Sequence, residues 1–373
     1  MGLYDFGELP PNMAGSSLYV GEKIGSPIQS RTTALGMNSP ATQSRTLNLE
    51  PRIHTNLPLT SDAASTLGPE VETPMSVREA ILRTLLYYDI WSHPLTLPEI
   101  ELFLPLPLGE RALFRSALAA MSESGEVMER DGHFFPRHRP NDVVSERKRR
   151  EERARTFWIL SRLSMHVIKR FPFVRAVMVS GELSKNVAGP ESDVDFFILT
   201  EPDRLWLTRS LLIFFKKVFL LNSKKFFCLN YFACTDSLAE EEHNVYVASE
   251  VAHVKPLYNA RLYREYLEAN RWIYTFFPNY DHARLPSPRV NERRSLMQLV
   301  FETLLSLFPL DRFDQSLQRF WQKVWARRYP EVGAPRLERA FTTTATTSRA
   351  YVYDFCPKVL EAYRNKLSMY GLH

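Results

Sequence analysis

Apolar positions three and four residues apart begin near Ser76 and predict three consecutive helices. This serine is expected to cap the first helix, with Glu79 completing a capping box, and Thr96 is expected to cap the second. The third helix is expected over residues 109–124. Two short strands around an Asp-Gly turn are expected within residues 126–136, because this dipeptide beside apolar residues is a strong hairpin signal.

Three helices followed by a hairpin resemble a winged helix, and we assign this winged-helix-like module to residues 75–140. A winged helix can bind DNA by placing its third helix in the major groove, although such modules also dock proteins or serve structural roles. The third helix carries Arg111 and Arg115 but also Glu110 and Glu123. DNA binding therefore stands beside a docking or structural role.

A long helix is predicted over residues 143–170, within a connecting segment assigned to residues 141–172. Its first half mixes arginine and lysine with glutamate, and its second half is apolar at helical spacing. Charges of opposite sign four residues apart fit a solvated connecting helix. The alternative is a basic surface for nucleic acid or for the phosphates of an acceptor.

The central part of the chain alternates apolar strands with polar loops. Strands are predicted over residues 175–180, 194–200 and 224–235, a helix over 204–221, and helical segments over 244–256 and 261–276. This core is assigned to residues 173–280. A helical C-terminal extension over residues 281–373 follows, with helices over 293–308, 311–328 and 350–367 and a threonine-rich loop over 342–348. Its aromatic residues are expected to pack helix against helix at Phe301, Phe308, Phe313, Phe320, Trp321 and Trp325.

The candidate chemistry lies between the first two strands of this core. An apolar run ends at Gly181, a polar loop follows, and Asp193 and Asp195 open the next apolar run. Because side chains alternate along a strand, both carboxylates point the same way from an extended backbone. Adjacent carboxylates repel each other unless a cation lies between them, and Mg²⁺ (or Mn²⁺) prefers such oxygens together with substrate phosphates. A neighbouring glycine lets the backbone approach a phosphate closely.

This stretch resembles the signature of the polymerase-beta-like nucleotidyltransferase superfamily, over about residues 173–258. The resemblance implies an α+β fold with a mixed sheet and helices, and it implies that Asp193 and Asp195 are catalytic metal ligands. The nucleotide-binding residues that it implies are Ser180, Gly181, Ser184, Lys185 and Ser192. An active member would transfer a nucleoside monophosphate from an NTP to the hydroxyl of an unidentified acceptor, which is a protein, a nucleic acid or a small molecule.

Two positions depart from the usual pattern of that family. Glu182 stands where the phosphate-binding serine falls, and at about 4 Å and an effective dielectric near 20 it would repel a phosphate charge by on the order of 4 kcal/mol. Asn230 replaces the third carboxylate, and Asp236 lies just past the end of that strand. These departures leave open a degenerate domain that binds or regulates without turnover. Further candidates for lining the cleft are His253, Lys255 and Tyr258.

The composition is that of a globular chain with a polar tail. The length of 373 residues is enough for two or three domains, and a hydrophobic content of 45% is enough for a sizeable core. Residues 1–74 are rich in serine, threonine, proline, glycine and asparagine and are expected to form a disordered tail. The formal net charge of +5 permits an anionic partner such as a nucleotide without requiring one.

The expected location is the cytoplasm. The three cysteines are scattered, which argues against a disulfide framework or a zinc site and fits a reducing compartment. No secretory signal precedes the first helix. The most apolar stretch, residues 205–221, is short and interrupted by Arg209, Lys216 and Lys217. It therefore predicts a buried helix and no membrane span, with a helix on a membrane surface as the alternative.

Overall fold

The computed structural model describes residues 75–140, 142–221, 227–281, 293–328, 342–349 and 355–372. The tail expected over residues 1–74 lies outside the described residues, as do the first residues of the strand expected over 224–235 and of the helix expected over 350–367. All described residues belong to one unit, so the helices and strands below are parts of a single body.

The N-terminal part forms the three helices and the hairpin that the sequence predicts. Helices α1, α2 and α3 cover Val77–Asp89, Leu97–Phe103 and Arg111–Glu123, and strands β1, β2 and β3 cover Leu95–Thr96, Val127–Arg130 and His133–Pro136. These strands form an antiparallel sheet in the order β1-β3-β2. Asp131 and Gly132 have φ values of 51° and 71°, which is the geometry of a tight two-residue hairpin turn.

Hydroxyl residues cap the first two helices as predicted, but the capping box expected at Ser76 is wrong. Ser76 accepts a hydrogen bond from the Glu79 backbone N–H at 3.1 Å, whereas the Glu79 carboxylate pairs with Arg83 at 2.7 Å one turn along the helix. The ion pair thus competes with the backbone contact that the motif predicts. A complete box forms instead at Thr96, whose backbone N–H donates to the Glu99 carboxylate at 2.8 Å.

The remaining elements alternate strands and helices. Helix α4 covers Val143–Ile168 and leads into β4 (Val174–Val179), the single turn α5 (Gly181–Ser184) and β5 (Asp195–Thr200). These are followed by α6 (Leu205–Phe219), β6 (Cys228–Cys234), α7 (Val245–His253), β7 (Lys255–Tyr258), α8 (Ala260–Ala269) and a 3₁₀ helix (Arg271–Thr275). The C-terminal extension holds α9 (Leu296–Leu305), α10 (Leu310–Arg328), β8 (Thr347–Arg349) and α11 (Phe355–Met369).

A mixed five-stranded sheet in the order β7-β4-β5-β6-β8 forms the centre of the described chain. Strands β5 and β6 run parallel and are connected through α6, while the other neighbouring pairs are antiparallel. The predicted α+β class is confirmed. The helix expected over 244–256 forms as α7 but ends earlier, because its last two residues begin the edge strand β7. The other edge strand, β8, overlaps the loop expected over 342–348 and corrects that prediction. Pro256 in β7 has no backbone N–H to donate, which an edge strand tolerates.

Alternate residues along the strands of this sheet point to opposite faces, and both faces are buried. The face covered by α1, α7, α8 and α11 includes Ala176, Met178, Phe197 and Leu199. The face covered by α4, α6 and α10 includes Val177, Val179, Phe196 and Ile198. Asp195 lies two residues before Phe197 on β5 and therefore points to the same face of the sheet, which is covered by α7 and the N-terminal helices.

A buried carboxylate joins α1 to the C-terminal helix. Asp89, at the end of α1, contacts His138 at 2.9 Å and accepts hydrogen bonds from Arg139 and from Lys366 of α11, each at 2.5 Å. A buried charge is tolerated only with such partners. The cluster therefore fixes the N-terminal module against the last helix.

The apolar helices of the C-terminal half are less buried than the sequence predicts. Trp325 of α10 is buried as expected, but the fractions of Phe301, Phe308, Phe313 and Phe320 that remain exposed lie between 46% and 64%, which corrects their expected role in helix packing. Across the described residues, no helix combines the length and apolar character that a bilayer span requires.

Candidate functional site

The two aspartates lie at one edge of the five-stranded sheet, where β4 ends and β5 and β6 begin. Asp193 precedes β5, and Asp195, the first residue of β5, is paired in register with Cys228, the first residue of β6. One ligand atom from each of these three residues lies within 4.8 Å of the others. The predicted proximity of the aspartates is confirmed, and a thiol joins them.

Gly181 packs directly against this cluster. Its φ is +67°, a left-handed conformation that side-chain-bearing residues rarely adopt. A Cβ at this position would collide with Oδ2 of Asp195, so the carboxylate occupies the space that a side chain would need. The Ser180 backbone N–H donates to the Asp195 carbonyl at 3.0 Å and holds β4 and β5 together at the same point.

Asn230 stands beside Asp195, where the sequence pattern led us to expect a third ligand. Its Nδ2 donates to Oδ1 of Asp195, and the Cys228 thiol donates to Oδ1 of Asn230 at 3.0 Å. Asp236 lies away from the cluster, because the parallel register carries β6 toward the opposite end of β5. Sequence reasoning missed Cys228. Its one signal was its place two residues before Asn230 on the same strand.

Burial dominates the electrostatics of the site. It raises the pKa of Asp195 well above its ordinary value, and the charges of Asp193 and Glu250 raise it further. Burial also raises the pKa of Asp193, and a hydrogen bond with the Cys228 thiol lowers it by a smaller amount. The pKa of that thiol is itself raised, first by burial and then by the two aspartates. A divalent cation would reverse this balance, because it favours the ionised form of every ligand around it.

Glu182 turns into the loop that separates α5 from β5. Its Oε1 accepts a hydrogen bond from Arg150 of α4 at 2.9 Å, and its Oε2 accepts from the Ser192 hydroxyl and, at 3.3 Å, from the Gly189 backbone N–H. The Ala188 backbone N–H in the same loop donates to the Arg150 carbonyl at 3.0 Å. Glu182 thus pairs its charge and fastens the loop that leads to the aspartates.

Other charges of α4 are used in similar contacts. Arg147 is buried and pairs with Glu99 at 2.7 Å, while Lys148 pairs with Asp131 of the hairpin at 2.6 Å. Arg153 donates to a carbonyl of the loop before β5 at 3.2 Å. These contacts favour the connecting-helix interpretation of α4 over a basic surface for nucleic acid.

The three serines expected to bind nucleotide differ in how their hydroxyls are used. Ser184 is buried and donates to the Gly181 carbonyl at 2.7 Å, and Ser192 is buried and donates to Glu182. Ser180 is partly exposed at the end of β4. Contact of these hydroxyls with a nucleotide stays a prediction, and for Ser184 and Ser192 it would require a change of partner.

Two lysines lie near the same edge of the sheet. Lys185 pairs with Glu250 of α7 at 2.8 Å, so a phosphate would have to displace that carboxylate. Lys255, the first residue of β7, is paired in register with Val179, two residues before the glycine turn. Burial lowers the pKa of Lys255.

His253 and Tyr258 are core residues. His253 is buried, its ring stacks on Phe103 at 4.6 Å, and its Nδ1 lies 2.7 Å from the Ser249 carbonyl. Burial lowers the pKa of His253 well below its ordinary value, so the ring is neutral. Tyr258 is buried at the far end of β7, where it is paired in register with Val177. Both placements favour packing over lining a cleft.

The donor set at the sheet edge fits a divalent cation. Two carboxylates suit Mg²⁺ or Mn²⁺, and the neighbouring thiol suits softer metals as well. The Asp195 carboxylate also lies directly against Gly181, where the missing side chain leaves space for it. No family model, curated protein or solved structure matches the chain.

Proposed function

We propose that the chain is a nucleotidyltransferase-like protein that transfers a nucleoside monophosphate from an NTP to an acceptor hydroxyl with the help of Mg²⁺ or Mn²⁺. The observation that carries this proposal is the Asp193 and Asp195 pair at the start of β5, beside the Gly181 turn. Antiparallel β4 and β5, followed by α6 and a parallel β6, support a nucleotidyltransferase-like core. The order of elements over residues 75–140 supports a winged-helix-like module.

Each residue of the site has its own role in this proposal. Asp193 and Asp195 hold the cation, which when bound would neutralise charge on the phosphates and the leaving pyrophosphate. Gly181 leaves space for that arrangement and lets the backbone approach the phosphates. Lys185 and Lys255 supply positive charge near the same edge of the sheet. Because phosphoryl transfer depends mainly on positioning and electrostatics, it does not require a dedicated base.

One observation favours a second function, which is binding or regulation without turnover. An amide and a thiol stand beside the aspartates, and the Asn230 amide already occupies one oxygen of Asp195. An amide can coordinate a metal, but it adds no negative charge to offset the cation. A site with two carboxylates would then bind a metal and nucleotide without the third charge that turnover uses.

The N-terminal module would serve a structural or docking role in either case. Arg111 and Arg115 of α3 lie 3.8 and 3.7 Å from the single carboxylate of Glu101, which offsets part of their charge. Binding to DNA depends on cations that neutralise phosphates, and paired arginines contribute less to it. The module also supplies α1 to the core beneath the five-stranded sheet.

Label transfer separates the enzyme from the binding protein. The wild-type chain is incubated with α-labelled NTPs, Mg²⁺ or Mn²⁺, and pools of proteins, RNA or small metabolites as acceptors. An enzyme should release pyrophosphate and label an acceptor, and Asp193→Asn should lose both while the control Asp236→Asn keeps both. Metal-dependent nucleotide binding without pyrophosphate release would support the binding protein. Failure to bind any NTP in the presence of metal would rule out both functions.

A further inference from the structure

Helix α9 presents its polar side chains to the protein and its apolar side chains to solvent. Gln298 is fully buried, and its Nε2 donates to the Val174 carbonyl at 2.7 Å. Glu302 accepts hydrogen bonds from the Phe173 backbone N–H at 2.6 Å and from Arg175 at 2.7 Å. These contacts with the start of β4 fix which side of α9 faces the body.

The opposite side of α9 is an exposed apolar stripe. Leu296, Val300 and Leu304 follow one another at four-residue spacing and therefore lie on one face. Their exposed fractions are 77%, 51% and 54%. A surface helix normally turns such a stripe toward the core. Rotating α9 to do so would carry Gln298 and Glu302 away from their partners, so the stripe stays outward.

Helices α10 and α6 lie beside α9 and also carry exposed apolar side chains. Leu305 of α9, Leu211 of α6 and Leu317 of α10 pack on the same buried cluster, which brings the three helices together. Other exposed apolar side chains on these helices and the turns after them are Met297, Leu299, Phe301, Leu307, Phe308, Phe313, Phe320, Phe214, Val218, Phe219 and Leu221. With the stripe they form what we call the apolar surface.

The exposed charges along α10 are mostly cationic. The acids of this helix are Asp314, which is buried, and Asp311, which pairs with Arg204 at 2.6 Å. The exposed cations of the helix are Arg312, Arg319, Lys323, Arg327 and Arg328. Apolar side chains flanked by arginine and lysine are typical of helices that lie in the interface of an anionic bilayer. A second copy of the chain would instead bring like charges together.

We propose that the apolar surface of α6, α9 and α10 docks on an anionic lipid bilayer and lies in the plane of its headgroups. The leucine and phenylalanine side chains would enter the boundary with the acyl chains, and the cations of α10 would contact lipid phosphates. Peripheral docking of this kind requires no membrane span, and it is independent of the function of the aspartate site.

Sedimentation with lipid vesicles tests this docking. The full chain is mixed with vesicles of phosphatidylcholine alone or with about a third phosphatidylserine. Binding should require phosphatidylserine and weaken as salt is raised, because counterions screen the cations of α10. The triple variant Leu296→Gln, Leu304→Gln, Leu307→Gln should bind at least a hundredfold more weakly, since each leucine loses its transfer into the apolar boundary.

Two further variants keep the test independent of folding defects. The matched control replaces three exposed apolar residues on other helices, Leu113→Gln, Ile159→Gln and Leu163→Gln, and should bind as the wild type does. Arg319→Gln with Lys323→Gln leaves α9 intact and should weaken binding roughly fivefold for each cation removed. Circular dichroism melts confirm that each variant is folded.

The outcomes separate a lipid partner from a protein partner. Loss of binding in the leucine and cation variants, with binding retained in the control, supports the proposal. Failure of the wild type to bind phosphatidylserine vesicles would overturn it. If light scattering shows a dimer that the leucine variant loses, while no vesicle binding occurs, the surface covers a second copy instead. Equal vesicle binding by the wild type and both surface variants would place lipid binding elsewhere in the chain.

Discussion

Separating Glu182 from Arg150 should destabilise the protein and loosen the aspartate site. The carboxylate and guanidinium lie 2.9 Å apart, and the two side chains are only 15% and 12% exposed. At an effective dielectric near 20, charges at this distance attract each other by about 6 kcal/mol before desolvation is counted. Each partner loses hydration on burial, so we expect a net coupling free energy of about 2 kcal/mol.

A double-mutant cycle measures this coupling. Glu182→Gln, Arg150→Met and the combined variant are unfolded in urea, and their free energies of unfolding are compared with that of the wild type. Glutamine keeps an acceptor for the Ser192 hydroxyl while removing the charge. Glu151→Gln is the matched control, because the Glu151 side chain is 37% exposed and its partner Arg147 keeps a second ion pair with Glu99. It should cost below about 1 kcal/mol.

The same variants report on the metal site. The loop that Glu182 fastens ends at Asp193, so Glu182→Gln should weaken divalent-metal binding by roughly tenfold, as the loss of an outer contact to a metal ligand typically does. A coupling free energy below about 0.5 kcal/mol would refute the role of the pair. A rise in NTP affinity of tenfold or more would show instead that Glu182 acts by repelling the triphosphate.

Two further changes have defined outcomes. Gly181→Ala should weaken metal binding at least tenfold, because its Cβ would collide with Asp195. The control Gly125→Ala has a similar φ of +71° with open space around it, and it should cost only about 1 kcal/mol of stability. Equal metal affinity of Gly181→Ala and the wild type by calorimetry would contradict the predicted collision. Burial raises the pKa of Asp314 to about 6, so the folded chain holds a proton there that the unfolded chain releases, and this stabilisation is lost as pH rises through about 6. Asp314→Asn should therefore gain up to about 3 kcal/mol relative to the wild type between pH 4 and 8 in urea unfolding, and a pH-independent difference would contradict the raised pKa.

Local sequence patterns predicted the features of the fold that depend on residues close together in the chain. Periodicity located α1, α3, α4 and α10, because their apolar positions repeat over three or more turns. The Asp-Gly turn located the hairpin between β2 and β3. Alternation in the extended backbone that leads into β5 predicted that Asp193 and Asp195 point the same way, since side-chain direction there needs no knowledge of the neighbouring strands.

Features that depend on partners distant in sequence were not predicted. Strand β7 has four residues, one of them Pro256, and it is a strand only because β4 pairs with it. Glu182 and Arg150 are 32 residues apart, and the local sequence around either residue does not predict their ion pair. Periodicity likewise predicts that α9 is a helix but not that its apolar side remains exposed, because that depends on where Gln298 and Glu302 find their partners.

Calorimetric titration of metal and nucleotide is the most stringent test of the aspartate site. The wild type, the double variant Asp193→Asn, Asp195→Asn and the control Asp236→Asn are titrated with Mn²⁺ or Mg²⁺ in the presence of non-hydrolysable NTP analogues. The control removes an exposed carboxylate beyond the far end of β6. We predict saturable binding by the wild type and the control that the double variant loses. Equal binding by all three proteins, or none by the wild type, would contradict a metal-dependent nucleotide site at these aspartates.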